Sequence, residues 1–118
     1  MSDVLAVSVQ DDNQQIPLRL ASLFGWVELV RVLLHRGETA NSMDILGRTP
    51  LHQVAGSKYY HSRLLATLNQ VRITKLLLEH GAVVNAQDHD NTTPLHIASY
   101  YGKVDIVKVL LDCGAPSN

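Results

Sequence analysis

Cysteine is almost absent from this chain: Cys113 stands alone among 118 residues, so no disulfide can join two of its own segments. Stability must come from packing, and a reducing compartment suits such a chain. An excess of either charge is missing too. Ten Lys and Arg face eleven Asp and Glu, a formal net charge of −1, so no sequence-wide field attracts phosphate backbones or anionic membranes. Nucleic acid and membrane are therefore not expected as partners. No apolar run approaches the roughly eighteen residues of a membrane span, and the start MSDVLAVSVQDD lacks the basic and apolar stretches of a secretory leader. A location in the cytoplasm or the nucleus is expected. Aromatics make up only 5% of the residues, so a core of 46% hydrophobic composition must be largely aliphatic. No glycine-rich motif leads into a helix bearing a phosphate-binding lysine, and none of the six histidines pairs at the i, i+4 spacing of a helical zinc site. No cofactor, metal or small-molecule substrate is expected.

What the sequence does contain is repetition. Residues 93–115 read TPLHIASYYGKVDIVKVLLDCGA. Thr93 can cap a helix whose first position is Pro94, where no N–H is needed. A short apolar helix follows, Gly102 supplies a turn, and Val104, Ile106, Val107, Val109, Leu110 and Leu111 mark a second helix ended by Gly114. Neither helix is long enough to be stable alone, so the unit needs neighbours of its own kind. The unit recurs 44 residues earlier, as Thr49-Pro50-Leu51-His52 with a second helix over 71–78. It recurs 33 residues before that, as Ile16-Pro17-Leu18-Arg19 with a second helix over 27–34. Segments rich in Asp, Asn and Gly join the copies, for example Asp44-Ile45-Leu46-Gly47 and Asp88-His89-Asp90-Asn91, and they imply projecting β-turn or hairpin fingers.

The Thr-Pro-Leu-His motifs at 49–52 and 93–96, the Leu-Leu-Leu-Glu-His-Gly-Ala run at 76–82 and the 33-residue period resemble the ankyrin-repeat family over nearly the whole chain. The resemblance implies an all-α solenoid: stacked helix-turn-helix pairs joined by β-turn or hairpin fingers, with inner helices and fingers lining a concave surface. One domain spans residues 1–118, with repeats over about 8–40, 41–84 and 85–117, and insert 56–68 in the second. The resemblance also implies that Asn41 and Asn85 brace the fingers and are potential asparaginyl hydroxylation targets, with Leu33 and Leu77 eight residues upstream.

Three departures give the chain its individuality. Ile16 and Arg19 replace the Thr and His of the motif in the first copy, which reads partly as a cap; Arg19 is a charge that a fully covered position would not accept unpaired. In the second copy thirteen residues, 56–68, stand where the third has only Tyr100 and Tyr101, an insertion of eleven. Eleven residues are close to three helical turns. Gly56-Ser57 breaks a helix while Tyr60, Leu64, Leu65 and Leu68 have helical spacing, so a short loop and extra helix from about His61 are expected, with Asn69 making the turn. Finally, residues 2–9 resemble the tail of a copy whose helices are absent, and the last helix stays apolar in Val109, Leu110 and Leu111 where a capping repeat would turn polar, which suits a piece of a longer array or a lone trio with an exposed apolar end.

The functional residues must be those that stacking does not need. His52 and His96 read as structural, bonding the Thr of their own motif and nearby backbone. Cys113 lies between Asp112 and Gly114, with no neighbouring base to activate a nucleophile, so no catalytic residue is expected. By resemblance, contacts come from finger tips and inner-helix ends: Asp12 and Asn13, then Ile45, Leu46 and Arg48, then His89 and Asp90 on the fingers, with Leu23, Phe24, Tyr100 and Tyr101 on the helices. Ile45 and Leu46 stand out, because a turn tip is normally polar. Phe24 and Trp26 have a second reading, packing on each other and on the insert tyrosines. The expected function is a non-enzymatic protein-interaction module. Its partner would be another protein or another segment of a longer parent chain. The alternative is a regulatory or docking segment of a larger enzyme or channel.

Overall fold

A computed structural model describes residues 16–57 and 63–115, with backbone alone at 16, 63 and 64. Six helices make up these residues, and no strand is found among them: α1 (Ile16–Phe24), α2 (Val27–His35), α3 (Pro50–Ala55), α4 (Arg63–Glu79), α5 (Pro94–Tyr100) and α6 (Val104–Asp112). They form three antiparallel pairs. The first helices of the pairs, α1, α3 and α5, pack in one row, and α2, α4 and α6 in a second row behind it.

The helix starts follow from capping chemistry. Thr49 and Thr93 lie in extended backbone ahead of Pro50 and Pro94, and the His96 N–H donates to Thr93 Oγ1 at 3.2 Å. The turns inside the first and third pairs need a left-handed residue, and Gly25 (φ 79°) and Gly102 (φ 69°) supply it. Apolar residues recur on the inward face of each helix, so Leu18, Val30, Leu51, Val54, Ile73, Leu77, Ile106 and Leu110 are all but completely buried in one continuous core. Each such side chain stabilises the fold by about 1.5–3 kcal/mol. Arg19 is also buried, 7% exposed, and keeps an interaction there, so the first copy's motif position is covered.

The insertion is resolved differently from the expectation. Asn69 makes no turn: α4 runs unbroken for 17 residues from Arg63 to Glu79. The extra turns therefore belong to the outer helix, while the inner helix α3 stops at Ala55 with Gly56 at its C-cap. A single Asn tolerates a left-handed turn but does not impose one, and eight helix-forming residues ahead of Val71 can extend an existing helix at a small cost per residue. Helix α4 thus projects about 12 Å beyond the level at which α2 and α6 begin. The insert tyrosines Tyr59 and Tyr60 and the expected helix start at His61 lie outside the described residues.

Lys103 ties the third pair to the second. It is 7% exposed, and its Nζ donates to the Ser57 and Val54 carbonyls just past and within the end of α3, where a helix terminus favours a cation. Burial nevertheless pulls its pKa down to about 8.

Candidate protein-binding surface

Two fingers stand between the helix pairs, and each is folded around one aspartate. Asp44 Oδ1 accepts from the Leu46 and Arg48 N–H groups, both at 2.9 Å, and Asp88 Oδ1 accepts from Asp90 and Thr92 at 2.8 and 2.9 Å. This side-chain mimicry of a backbone turn explains why Asp opens both fingers. The fingers are then fastened to each other. His89 N–H donates to the Leu46 carbonyl at 2.9 Å, and the Arg48 Nε meets Asp88 Oδ2 at 3.4 Å. At the finger bases Asn41 donates to the Gly81 carbonyl and accepts from the Val83 N–H, which is the bracing expected of that residue.

His52 anchors the second finger to helix α3. Its Nδ1 accepts from the Thr49 N–H at 3.0 Å and its Nε2 reaches the Thr92 carbonyl at 2.7 Å, so the proton sits on Nε2. Burial lowers its pKa below the ordinary histidine value, only partly offset by the Thr92 bond and the Asp88 carboxylate. The Asp88 carboxyl is opposed by burial as well, yet the N–H groups of Thr92 and Asp90, His52 and Arg48 hold it below the usual carboxylate value. Because the folded pKa of His52 is depressed, the unfolded chain takes up a proton first as pH falls. Its contribution to stability is complete above pH 6.5 and is lost as pH drops through the lowered value. Urea midpoints measured between pH 7.5 and 5 should fall on the acid side, and the fall should be smaller in His52→Gln; equal slopes in both proteins would exclude His52 as the source.

Between the fingers and the ends of the inner helices lies a concave cleft of about 410 Å³. Its finger side is polar, with Arg48, Thr92 and His96; its far side is apolar, with Leu23, Ile97, Tyr100 and Tyr101. Leu23, Gly56 and Tyr100 occupy equivalent positions in the three pairs, and the missing side chain at Gly56 opens the hollow between the other two. Tyr100 is 83% exposed and packs edge-on against Tyr101, with ring centroids 5.0 Å apart.

The expected contact residues divide into four groups. Leu23, Arg48, Tyr100 and Tyr101 meet in the cleft. Ile45 and Leu46 crown the first finger, 80% and 54% exposed, and His89 and Asp90 are exposed beside them. Phe24 is outside the cleft lining and stacks on Trp26, with centroids 5.2 Å apart. Asp12 and Asn13 lie outside the described residues. Sequence reasoning overlooked Gln53 and Ile97, which line the cleft at the position just after each Thr-Pro-Leu-His motif. The signal was present in the register, because the motif is constant there while the next residue changes.

Residues 60–111, covering the long outer helix, the second finger and the third pair, match the family described as ankyrin repeats (many copies). Over that stretch the chain is similar to ankyrin repeats. A 56-residue stretch, 48% of the chain, is 50% identical to the serine/threonine-protein kinase VIK of Arabidopsis thaliana, of which it spans 13%. So short a match carries no kinase activity to this chain. Among its described residues no helix is long and apolar enough to cross a membrane, and no three His, Cys, Asp or Glu side chains gather as a metal site.

Proposed function

We propose that the three helix pairs act as one protein-binding domain, gripping a partner protein through the finger tips and the cleft beneath them. The observation that carries this reading is Ile45, 80% exposed on a finger held rigid by Asp44 and by its bond to the next finger. A large apolar side chain on a pre-formed support loses little entropy on docking, and with Leu46 and Tyr100 it offers anchors of the type that dominate interfaces. The cleft supplies polar partners on one side, so a partner chain lying across it meets Arg48 and His96. Nothing in this reading requires catalysis or a cofactor, and the near-neutral charge argues for protein over nucleic acid. The domain would work in the cytoplasm or nucleus.

The test uses the full chain as bait. Ile45→Asp with Leu46→Asp should leave the melting temperature within about 2–4 °C, because both side chains are exposed, while removing the specifically captured partner. An unchanged set of captured proteins at unchanged stability would sink the finger-tip reading. A second reading is supported by the match to part of a kinase: the domain could serve as a docking segment of a larger enzyme. That version requires a transcript encoding a catalytic domain, and one encoding repeats alone removes it.

A further inference from the structure

The insertion builds a second surface, on the side of the molecule away from the fingers. Helix α4 carries Leu65 and Leu68 on its added turns, and they are 51% and 53% exposed. The opposite side of those turns, with Thr67 and Gln70, faces Gly102, Lys103 and Val104 of the third pair. Asn69, one turn on from Leu65, lies against Gly25 of the first pair, where a Cβ would stand 3.9 Å from its own. The Phe24–Trp26 stack brackets that glycine, with Trp26 52% and Phe24 40% exposed. Four large apolar side chains thus gather where α4 passes the first pair's turn. Exposed apolar residues grouped in this way mark contact sites.

Further along the same stripe of α4, three and four residues apart, come Arg72, Lys75, Leu76 and Glu79. With Arg31 of α2 they line a groove of about 350 Å³. Arg31 is paired with Glu28 at 3.4 Å, and Glu79 closes the far end, so the cations closest to the apolar patch are Arg72 and Lys75. From Leu65 and Leu68 to these cations the helix rises about 10 Å.

We infer that this outer groove is a second protein-binding surface, taking an amphipathic segment of a partner whose large apolar side chains sit about 10 Å from a pair of carboxylates. The apolar residues cover Trp26, Leu65 and Leu68, and the carboxylates lie over Arg72 and Lys75. Charge complementarity selects an acidic segment over a basic one and sets its direction in the groove. The surface exists because the insertion lengthened the outer helix and not the inner one.

Trp26 is the only tryptophan, so its fluorescence reports on the site directly. The full chain is titrated with a synthetic 15-residue peptide carrying Leu at positions 3 and 6 and Glu at positions 10 and 13. Two variants, Lys for both Glu and Ser for both Leu, are run beside it. The Glu peptide should blue-shift the Trp26 emission, and each variant should bind at least about tenfold more weakly. Leu65→Gln with Leu68→Gln, exposed positions changed to another good helix former, should abolish the shift and leave the fold intact. Ile45→Asp with Leu46→Asp should leave it untouched, which separates this site from the finger-tip surface. Equal binding of Glu and Lys peptides, or no binding of either, would overturn the proposal. So would self-association in sedimentation that Leu65→Gln with Leu68→Gln removes, since a second copy would then be the occupant.

Discussion

Replacing Leu77 by alanine is expected to cost about 3–4 kcal/mol, near the upper part of the range for large-to-small core changes. Leu77 is fully buried in the last turn of α4, and that helix is packed between α2 on one side and α6 on the other. Neither neighbour can close the space without leaving its own partner helix, so most of the cavity should persist. The backbone around the site is committed as well, since the Leu77 carbonyl accepts from the Ala82 N–H at 2.9 Å in the helix's closing turn. Against a total stability of about 5–15 kcal/mol, such a loss should lower the melting temperature by roughly 10–20 °C. Leu111→Ala, at a position 40% exposed on α6, should cost less than about 1 kcal/mol. Urea midpoints of the two variants provide the comparison; a cost below about 1.5 kcal/mol at Leu77 would mean that the two rows of helices collapse more easily than their packing implies.

The second large effect is expected at Gly47. Its φ of 79° is left-handed, and a Cβ there would stand 2.6 Å from His89 Cδ2 and 3.1 Å from the His89 backbone nitrogen. Gly47→Ala therefore combines two penalties. The left-handed conformation costs a β-carbon about 1 kcal/mol. Pushing the second finger away also weakens the bond from His89 to the Leu46 carbonyl, for a total of about 2–3 kcal/mol. Gly37→Ala isolates the first penalty, because φ is 94° there and nothing lies within 4 Å; it should cost about 1 kcal/mol. Equal losses at the two glycines would show that the fingers separate freely, and the proposed rigidity of the Ile45 tip would go with them.

The stack was legible because its signals are local and repeated. Thr-Pro-Leu-His sets a helix start through its own side chains, and three copies in register fix which apolar residues face inward. The roles of Asn41, His52 and His96 could be read for the same reason. The insertion was not legible, because the sequence offered two physically similar ways to absorb eleven residues. Leu64, Leu65 and Leu68 have helical spacing whichever helix they lengthen, and Asn69 suits a turn without compelling one. What decided between them was tertiary: Thr67 and Gln70 pack onto the third pair's turn only if α4 continues straight through Asn69. The cleft was half visible. Tyr100 and Leu23 announce themselves by size, whereas Gly56 contributes by having no side chain, and a hollow leaves no mark on a hydrophobic pattern.

The row-by-row packing of the helices also governs how the molecule comes apart. Among the three described pairs each touches its immediate neighbours, so the middle pair owns a share of both interfaces between them and each flanking pair of one. Fraying can begin at either flank and leave a folded pair-and-a-neighbour behind. Melting of α3 and α4 strands both flanks at once, and helices of nine residues such as α2 and α6 do not survive unsupported. The long outer helix is therefore the keystone of cooperativity: with it in place the described pairs unravel from the flanks inward, and without it they have no smaller folded state to fall back on.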